Sequence, residues 1–218
     1  MIIVAQWKFE ISSWLRNGEQ ALLNFVVPAI TLAFSYFQST SLQNTVIELT
    51  FITANAASAF TGLSIVMAFD RRYGILKFYA TSPLGLRDFY VAKVLVALTI
   101  SLIQSFAIYA IARLLQLSTP PLYLTLLTLA LLTPFWVALA FLFASALSAE
   151  NVLAAANGLF VLLVVTAIPL KISTVFSFIN PMSWGVDLLN AQYFTLFIIS
   201  VATCTAVFFA KRAFRWID

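Results

Sequence analysis

Seven charged side chains lie close together between residues 69 and 93, in an otherwise apolar part of the sequence: Asp70, Arg71, Arg72, Lys77, Arg87, Asp88 and Lys93. The whole chain has only 12 Lys and Arg and 8 Asp and Glu residues. Guanidinium and ammonium groups bind carboxylates and phosphates, on a protein partner or on lipid headgroups. This charged segment is therefore the first candidate for a functional surface.

The side chains that enzymes use as bases, nucleophiles or metal ligands are nearly absent. The chain has no His, and its single cysteine, Cys204, lies in an apolar segment where we interpret it as a buried structural thiol. A serine nucleophile would lack its usual base, and a metal site would lack His and paired Cys. We therefore predict no catalytic activity, no metal and no cofactor in this chain.

The composition indicates a membrane protein. Of the 218 residues, 62% are hydrophobic and 9% are charged, and the mean hydropathy is +1.00. A helix needs about 20 apolar residues to cross the hydrocarbon core of a bilayer. Six segments satisfy or nearly satisfy that length, so we predict an all-α, polytopic membrane protein with spans at 22–37, 48–69, 91–112, 122–147, 151–170 and 190–210.

The basic residues predict the orientation of these spans. With the N-terminus inside, only Arg113 and Lys171 face outward, whereas ten others face the cytoplasm: Lys8, Arg16, Arg71, Arg72, Lys77, Arg87, Lys93, Lys211, Arg212 and Arg215. Cytoplasmic loops are enriched in Lys and Arg. We therefore predict a multi-pass protein of the cell membrane with both termini in the cytoplasm.

We interpret the whole chain, 1–218, as one transmembrane domain with three elements outside the regular spans. Residues 1–19 have helical periodicity with Trp and basic residues, which is typical of a helix lying in the cytoplasmic interface, or else of a simple anchor for the first span. Residues 70–90 form a cytoplasmic element: we predict a helix over Arg71–Tyr79, a turn at Ser82-Pro83, and a new helix from Leu86. Residues 171–189 are apolar but broken by Asn180-Pro181, which predicts a partly buried outer element that could re-enter the membrane.

Two spans carry small residues at four-residue spacing next to an Asn: Ala54, Ser58 and Gly62 beside Asn55, and Ala154 and Gly158 beside Asn157. Small residues let helix backbones approach closely, and an Asn amide can form a hydrogen bond across the contact. Helix packing is one interpretation of both sets, and the lining of a substrate path is the other.

The charged segment also carries a resemblance to a known family. Residues 53–104 resemble the ABC-2 type permeases of ATP-binding-cassette transporters through Asp70, Arg71, Arg72, Gly74, Leu76, Lys77, Thr81, Pro83, Leu84, Lys93 and Gln104. Asp70 stands where that family usually has Glu. A second block, 148–160, is similar to the fourth-to-fifth-span turn of the drug-resistance-type branch, through Glu150, Leu153, Ala154, Ala155 and Asn157.

The resemblance implies a transmembrane domain of the ABC-2, type V exporter-like fold, in which two permeases pair and two ATPase subunits dock beneath them. ATP and Mg²⁺ would then bind the ATPase subunit, and the chain indeed lacks the phosphate-binding G-x-x-x-x-G-K-[ST] pattern. By the same resemblance, the residues that couple to the ATPase are Asp70, Arg71, Arg72, Tyr73, Gly74, Leu76, Lys77, Pro83, Leu84 and Glu150.

Within this set we expect the cations to orient the docked partner, the apolar side chains to bury in it, and Glu150 to pair with one of the cations. The apolar spans favour a lipid-like or amphiphilic small molecule as the exported substrate. The alternative function is a non-transporting scaffold that recruits a cytoplasmic partner through the same element.

Overall fold

The computed structural model describes residues 2–16, 25–26, 28–33, 35, 37, 40–74, 85–167 and 179–213. These residues are helical apart from short turns, and they contain no strand. In chain order the helices are α1 (Ile2–Arg16), α2 (Thr40–Ala56), a π-helical turn (Ala57–Gly62), α3 (Leu63–Arg72), α4 (Leu86–Leu114), α5 (Leu122–Ala146), α6 (Ala149–Ala167), α7 (Pro181–Leu189) and α8 (Phe194–Ala213). The segment from α2 to α3 is continuous.

Among the described residues, five helical segments are long and apolar enough to cross a membrane: Gln43–Arg72, Arg87–Leu114, Leu122–Ala146, Glu150–Ala167 and Phe194–Ala213. They correspond to five of the six predicted spans, so the predicted class, an all-α multi-pass membrane protein, is supported. The first predicted span, 22–37, falls partly outside the described residues. The count of six therefore stays a prediction.

The helix that we predicted over Arg71–Tyr79 is interrupted after Arg72, where α3 ends, and residues 75–79 of that prediction lie outside the described residues. Gly74 has φ of +71° and donates its N–H to the Arg71 carbonyl over 3.0 Å, while the N–H of Tyr73 still reaches the Phe69 carbonyl. A left-handed glycine just beyond the last turn is a common way to end a helix. The predicted start of the next helix at Leu86 is confirmed.

The π-helical turn was not predicted from the sequence. A widened turn disturbs the regular backbone hydrogen bonds, and here side-chain hydroxyls compensate. Ser58 donates its hydroxyl toward the Asn55 and Ala54 carbonyls at 3.0 and 3.2 Å, and Thr61 donates to the Ala57 carbonyl at 2.6 Å. Ser and Thr therefore help this span to keep its backbone satisfied around the distortion.

Helix α5 lies at the centre of the bundle, in contact with α3, α4 and α8. Its Trp136 is fully buried and packs near the Phe60 ring, with 6.1 Å between ring centroids. Helix α8 packs through the side that carries its buried residues, including Ile199 and Ala206. The prediction that Cys204 is buried is wrong: it is exposed, because it lies on the opposite side of α8 from that packed stripe.

Helix α7 lies inside the predicted outer element and is buried for most of its length. Asn180 begins it by accepting the Met182 N–H at 2.9 Å, and its amide also donates to the Leu163 carbonyl of α6 at 2.8 Å. A Cβ on Gly185 would lie 2.7 Å from Ile52 Cδ1 and 2.9 Å from Leu132 Cδ1. Glycine thus permits close packing of α7 against α2 and α5. Residues 171–178 of the predicted element lie outside the described residues.

The helix predicted from the periodicity of residues 1–19 is confirmed by α1. Helix α1 packs along α4. Trp14 is buried against Val96 and Ile100, and Trp7 donates its indole N–H to the Thr99 hydroxyl over 3.0 Å. Leu15 of the same helix is exposed. Part of the amphipathic surface of α1 is therefore used within the protein. Its location in the membrane interface stays a prediction.

Candidate functional site

Arg71 joins the end of α3 to the end of α5. Its guanidinium donates to the carbonyl oxygens of Ser145 and Leu147, both at 2.8 Å. The last carbonyls of a helix have no partner within the helix and carry the negative end of its dipole. Arg71 therefore stabilises the end of α5 and holds it against the start of the predicted cytoplasmic element (70–90), which we call the coupling element.

Arg72 forms an ion pair with Glu150 in the first turn of α6. The expected pairing of Glu150 with a cation of this element is thus confirmed, and the cation is Arg72. Both side chains are largely exposed, at 54% and 62%. Because both side chains are exposed, the ion pair contributes little to stability. Its charges are also accessible to a partner.

The neighbouring residues of the coupling element differ in exposure. Tyr73 is 70% exposed and stacks on Phe69, whereas Asp70 is about half-buried and Gly74 forms the turn. The end of α3 therefore presents an aromatic side chain beside the exposed charges. The other predicted coupling residues lie outside the described residues: Leu76, Lys77, Pro83 and Leu84.

A buried ion pair lies near this end of the bundle, and sequence reasoning missed it. Lys93 Nζ lies 2.8 Å from Glu10 Oε1, and the two side chains are only 2% and 14% exposed. Gln6 donates to the same carboxylate oxygen over 3.0 Å, and the ammonium lies 5.2 Å from the centroid of the Phe89 ring. Asp70 interacts electrostatically with both members of the pair. The pair thus joins α1 to α4 through buried charges.

Lys93 differs from Arg72 and Arg87 of the same charged segment, because they are exposed and Lys93 is buried. Helix α4 begins at Leu86, so Lys93 lies about two turns inside it, where α1 covers the side chain. The signal in the sequence was a Lys followed by a long uncharged segment, together with a Glu on an amphipathic helix. Neither feature identifies the other as its partner.

Asn55 is the centre of a polar cluster inside the bundle. It is fully buried, and its amide nitrogen donates to the hydroxyls of Ser101 at 2.9 Å and Thr133 at 2.8 Å. Ser58 lies 3.0 Å from the Ser101 hydroxyl. We call Asn55, Ser58, Ser101 and Thr133 the core polar cluster. It links α2, the π-helical turn, α4 and α5, and Gly62 lies one turn further along the same segment.

Asn157 and Gly158 occupy a different environment, although their sequence pattern is the same. Both are exposed on α6, and a Cβ on Gly158 would meet nothing within 4 Å. The side chains of Leu153, Val161 and Leu162 are also exposed on this helix. The structure therefore does not bring the two predicted small-residue sets together within one chain.

No group of three His, Cys, Asp or Glu side chains that could hold a metal ion occurs among the residues that the structure describes. The chemistry that these residues offer is non-covalent: exposed charges at the end of α3, a buried ion pair, and an uncharged polar cluster in the core. Together with the five long apolar helices, these features are those of a multi-pass helical membrane protein.

Comparison of the chain with protein-family models, with curated proteins and with solved structures finds no significant match.

Proposed function

We propose that the chain is the permease subunit of an ATP-driven exporter of the ABC-2 type, which moves a lipid-like or amphiphilic small molecule across the cell membrane. A separate ATPase subunit would bind ATP and Mg²⁺ and dock at the end of the bundle that carries Arg71 and Arg72. A second permease copy would complete the transport path. Both termini would lie in the cytoplasm.

The observation that carries the proposal is the way in which the coupling element is attached. Arg71 holds the end of α5 through two carbonyl oxygens, and Arg72 pairs with Glu150 at the start of α6. A displacement applied to the end of α3 would therefore be transmitted to two further spans. Packed helices respond to such a displacement by moving as rigid bodies between discrete arrangements.

The exposed side of α6 supports the second permease copy. Asn157 presents an amide on a surface of apolar and small residues, within a segment long enough to span the membrane. Hydrocarbon chains offer an amide no hydrogen-bond partner, whereas the same amide of a second copy does. Gly158 beside it leaves room for a close helix contact.

The test is the charge reversal Arg72→Glu. We expect it to weaken co-purification of the ATPase subunit from native membranes and to abolish stimulation of ATP hydrolysis by added amphiphiles, while membrane insertion stays normal. Lys211→Glu is the matched control, because Lys211 is another exposed cation, at the end of α8. Normal ATPase binding and stimulation in Arg72→Glu would contradict the proposal.

The double reversal Arg72→Glu with Glu150→Arg separates the two roles of Arg72. It can re-form the ion pair within the chain but presents reversed charges to a partner. If docking matters, the double variant stays defective; if it recovers fully, Arg72 acts only within the chain. Mass spectrometry of the co-purified material also tests the scaffold alternative, which would yield a cytoplasmic partner without ATPase activity.

A further inference from the structure

We propose that the core polar cluster and the polar side chains that continue from it along α4 and α5 bind ordered water inside the bundle. This inference goes beyond the proposed function and does not rest on it. The ligand is water itself, held by neutral amide and hydroxyl groups.

The side-chain amide of Asn55 is only partly satisfied by hydrogen bonds. Both amide hydrogens are used, on Ser101 and Thr133, and among the described residues no donor reaches the Asn55 Oδ1 atom. Exchanging the amide oxygen and nitrogen would move the unpartnered atom from an acceptor to a donor without removing it. In either orientation, one end of a fully buried amide has no protein partner.

The surrounding hydroxyls cannot supply that partner. Thr133 lies 2.6 Å from the Leu129 carbonyl, to which it donates its single proton. Ser58 lies within hydrogen-bonding distance of two backbone carbonyls as well as of Ser101. The protons of the cluster are therefore directed to other acceptors, away from Asn55 Oδ1.

The core polar cluster continues along the facing sides of α4 and α5. Asn55 joins Ser101 of α4 to Thr133 of α5, and eight residues further along α4 the Tyr109 hydroxyl lies 2.9 Å from that of Thr125. Helices α4 and α5 are thus antiparallel and in register between these two contacts. We call the continuation the polar stripe, and it consists of Ser105, Tyr109, Thr125 and Thr128.

Ser105 and Thr128 lie midway between the two contacts, one on each helix. Both are buried, at 3% and 0%, and neither hydroxyl has a hydrogen-bond partner among the described residues. Ser and Thr in helices commonly donate to a carbonyl of the preceding turn, as Thr133 does. Ser105 and Thr128 do not make this hydrogen bond. The indole N–H of Trp136 is likewise buried without a partner within the described part of the chain.

Burying these unpartnered polar groups without water would be unfavourable. A buried polar group without a partner is destabilising, and a membrane offers no alternative partner from lipid. Native proteins satisfy such groups with buried water, which makes about three hydrogen bonds to them. The Asn55 amide oxygen, the Ser105 and Thr128 hydroxyls and the Trp136 indole N–H are uncharged, so these groups match water better than an ion. The stripe reaches Tyr109, which is only partly buried and donates to the Pro120 carbonyl at 2.6 Å, so water can enter from that end of the bundle.

The experiment is radiolytic hydroxyl labelling of the purified protein in lipid nanodiscs, in H₂¹⁸O, with mass spectrometry of the labelled residues. We expect ¹⁸O label on Trp136, which is 0% exposed, because bound water is the source of the radical. Met67 is the internal control, since it is equally buried in the same apolar cluster, has no strong polar atom that could hold water, and is intrinsically more reactive. Label on Trp136 that does not exceed that on Met67 would overturn the proposal.

Two kinds of variant make the test specific. Asn55→Leu should remove the label from Trp136, and Asn157→Leu, on the exposed side of α6, should leave it unchanged. Thr128→Val should leave the melting midpoint unchanged or lower it, because a hydrated hydroxyl is already satisfied. If the site is dry, the same variant removes an unpartnered hydroxyl, and the midpoint should rise by about 2–4 °C.

A rise of the midpoint in Thr128→Val, or label that persists in Asn55→Leu, counts against bound water. If Asn55→Leu does not fold, Thr128→Val and Ser105→Ala still decide the question by their midpoints. A retained hydroxylated lipid, detected in the purified protein together with an unlabelled Trp136, would also overturn the proposal.

Discussion

Two ion pairs among the described residues, Lys93–Glu10 and Arg72–Glu150, each join a cation to a carboxylate but lie in opposite environments. The Lys93 and Glu10 side chains are 2% and 14% exposed, whereas those of Arg72 and Glu150 are 54% and 62% exposed. The first pair is sequestered between α1 and α4, and the second joins α3 to α6 at the surface. A buried pair is a fixed connection, because breaking it leaves an uncompensated charge, whereas an exposed pair can exchange its partner at little cost.

This difference assigns different roles to basic residues that the sequence presents as one cluster. Lys93 holds the N-terminal helix in place, and Arg72 remains accessible to a docking partner. Arg71 is intermediate, since it is partly buried and binds carbonyl oxygens of α5. Measurements of stability distinguish these roles, because they depend only on the contacts within the chain.

The largest effect is expected for Lys93→Met. The substitution keeps the length of the side chain but leaves the Glu10 carboxylate buried without its cation. Removing one partner of a buried ion pair costs about 3–5 kcal/mol. We therefore expect a marked loss of unfolding free energy, measured by denaturant titration in detergent micelles.

The double variant Lys93→Met with Glu10→Gln is the control for that prediction. It removes both charges, and the Gln amide oxygen can still accept the hydrogen bond from Gln6. Most of the lost stability should return. A Lys93→Met protein as stable as the wild type would mean that the pair is open to solvent and that the contrast with Arg72–Glu150 is wrong.

A smaller effect is expected for the exposed pair. In a double-mutant cycle of Arg72→Ala and Glu150→Ala, we expect only a weak coupling in unfolding free energy, and the coupling should fall as salt is added. ATPase co-purification should nevertheless fall strongly with Arg72→Ala. A strong, salt-insensitive coupling would place Arg72 with Lys93 as a structural residue and argue against a docking role.

Much of the fold was predictable because the bilayer restricts it. Membrane-spanning helices need long uncharged segments, and five of those that we identified correspond to the helices of the structure. The pairing of Glu150 with a cation was also predictable, because the turn between α5 and α6 and the end of α3 were both expected at the same membrane surface. The π-helical turn was not, since it depends on backbone geometry that Ser58 and Thr61 support but do not encode alone.

The two Asn residues show where sequence reasoning about the site stopped. Asn55 and Asn157 follow the same small-residue pattern, yet Asn55 is fully buried and Asn157 is exposed. The pattern describes one helix, whereas burial depends on which neighbouring helix covers it. The missed Ser105 and Thr128 illustrate the same limit: each is unremarkable on its own helix, and only the register of α4 against α5 places them together.

The smallest effect is expected at a third kind of charge, one without a partner. Asp187 of α7 is half-buried, and its carboxylate makes no ion pair or hydrogen bond with the residues that the structure describes; burial raises its pKa above the ordinary value of 3.8. A raised carboxyl pKa means that the folded protein binds the proton more tightly than the unfolded chain. The stability that this provides is fully present below about pH 4 and is lost as the pH rises through the raised pKa.

The variant Asp187→Asn should therefore be slightly more stable than the wild type at neutral pH, and the difference should vanish as the pH falls toward 4. Thermal midpoints measured across this range provide the test. Asp88→Asn is the control, because Asp88 lies in the first turn of α4, where a negative charge favours the helix, so its loss should give no gain. If Asp187→Asn were instead less stable at neutral pH, Asp187 would have a cationic partner and would join Lys93 among the paired charges of the bundle.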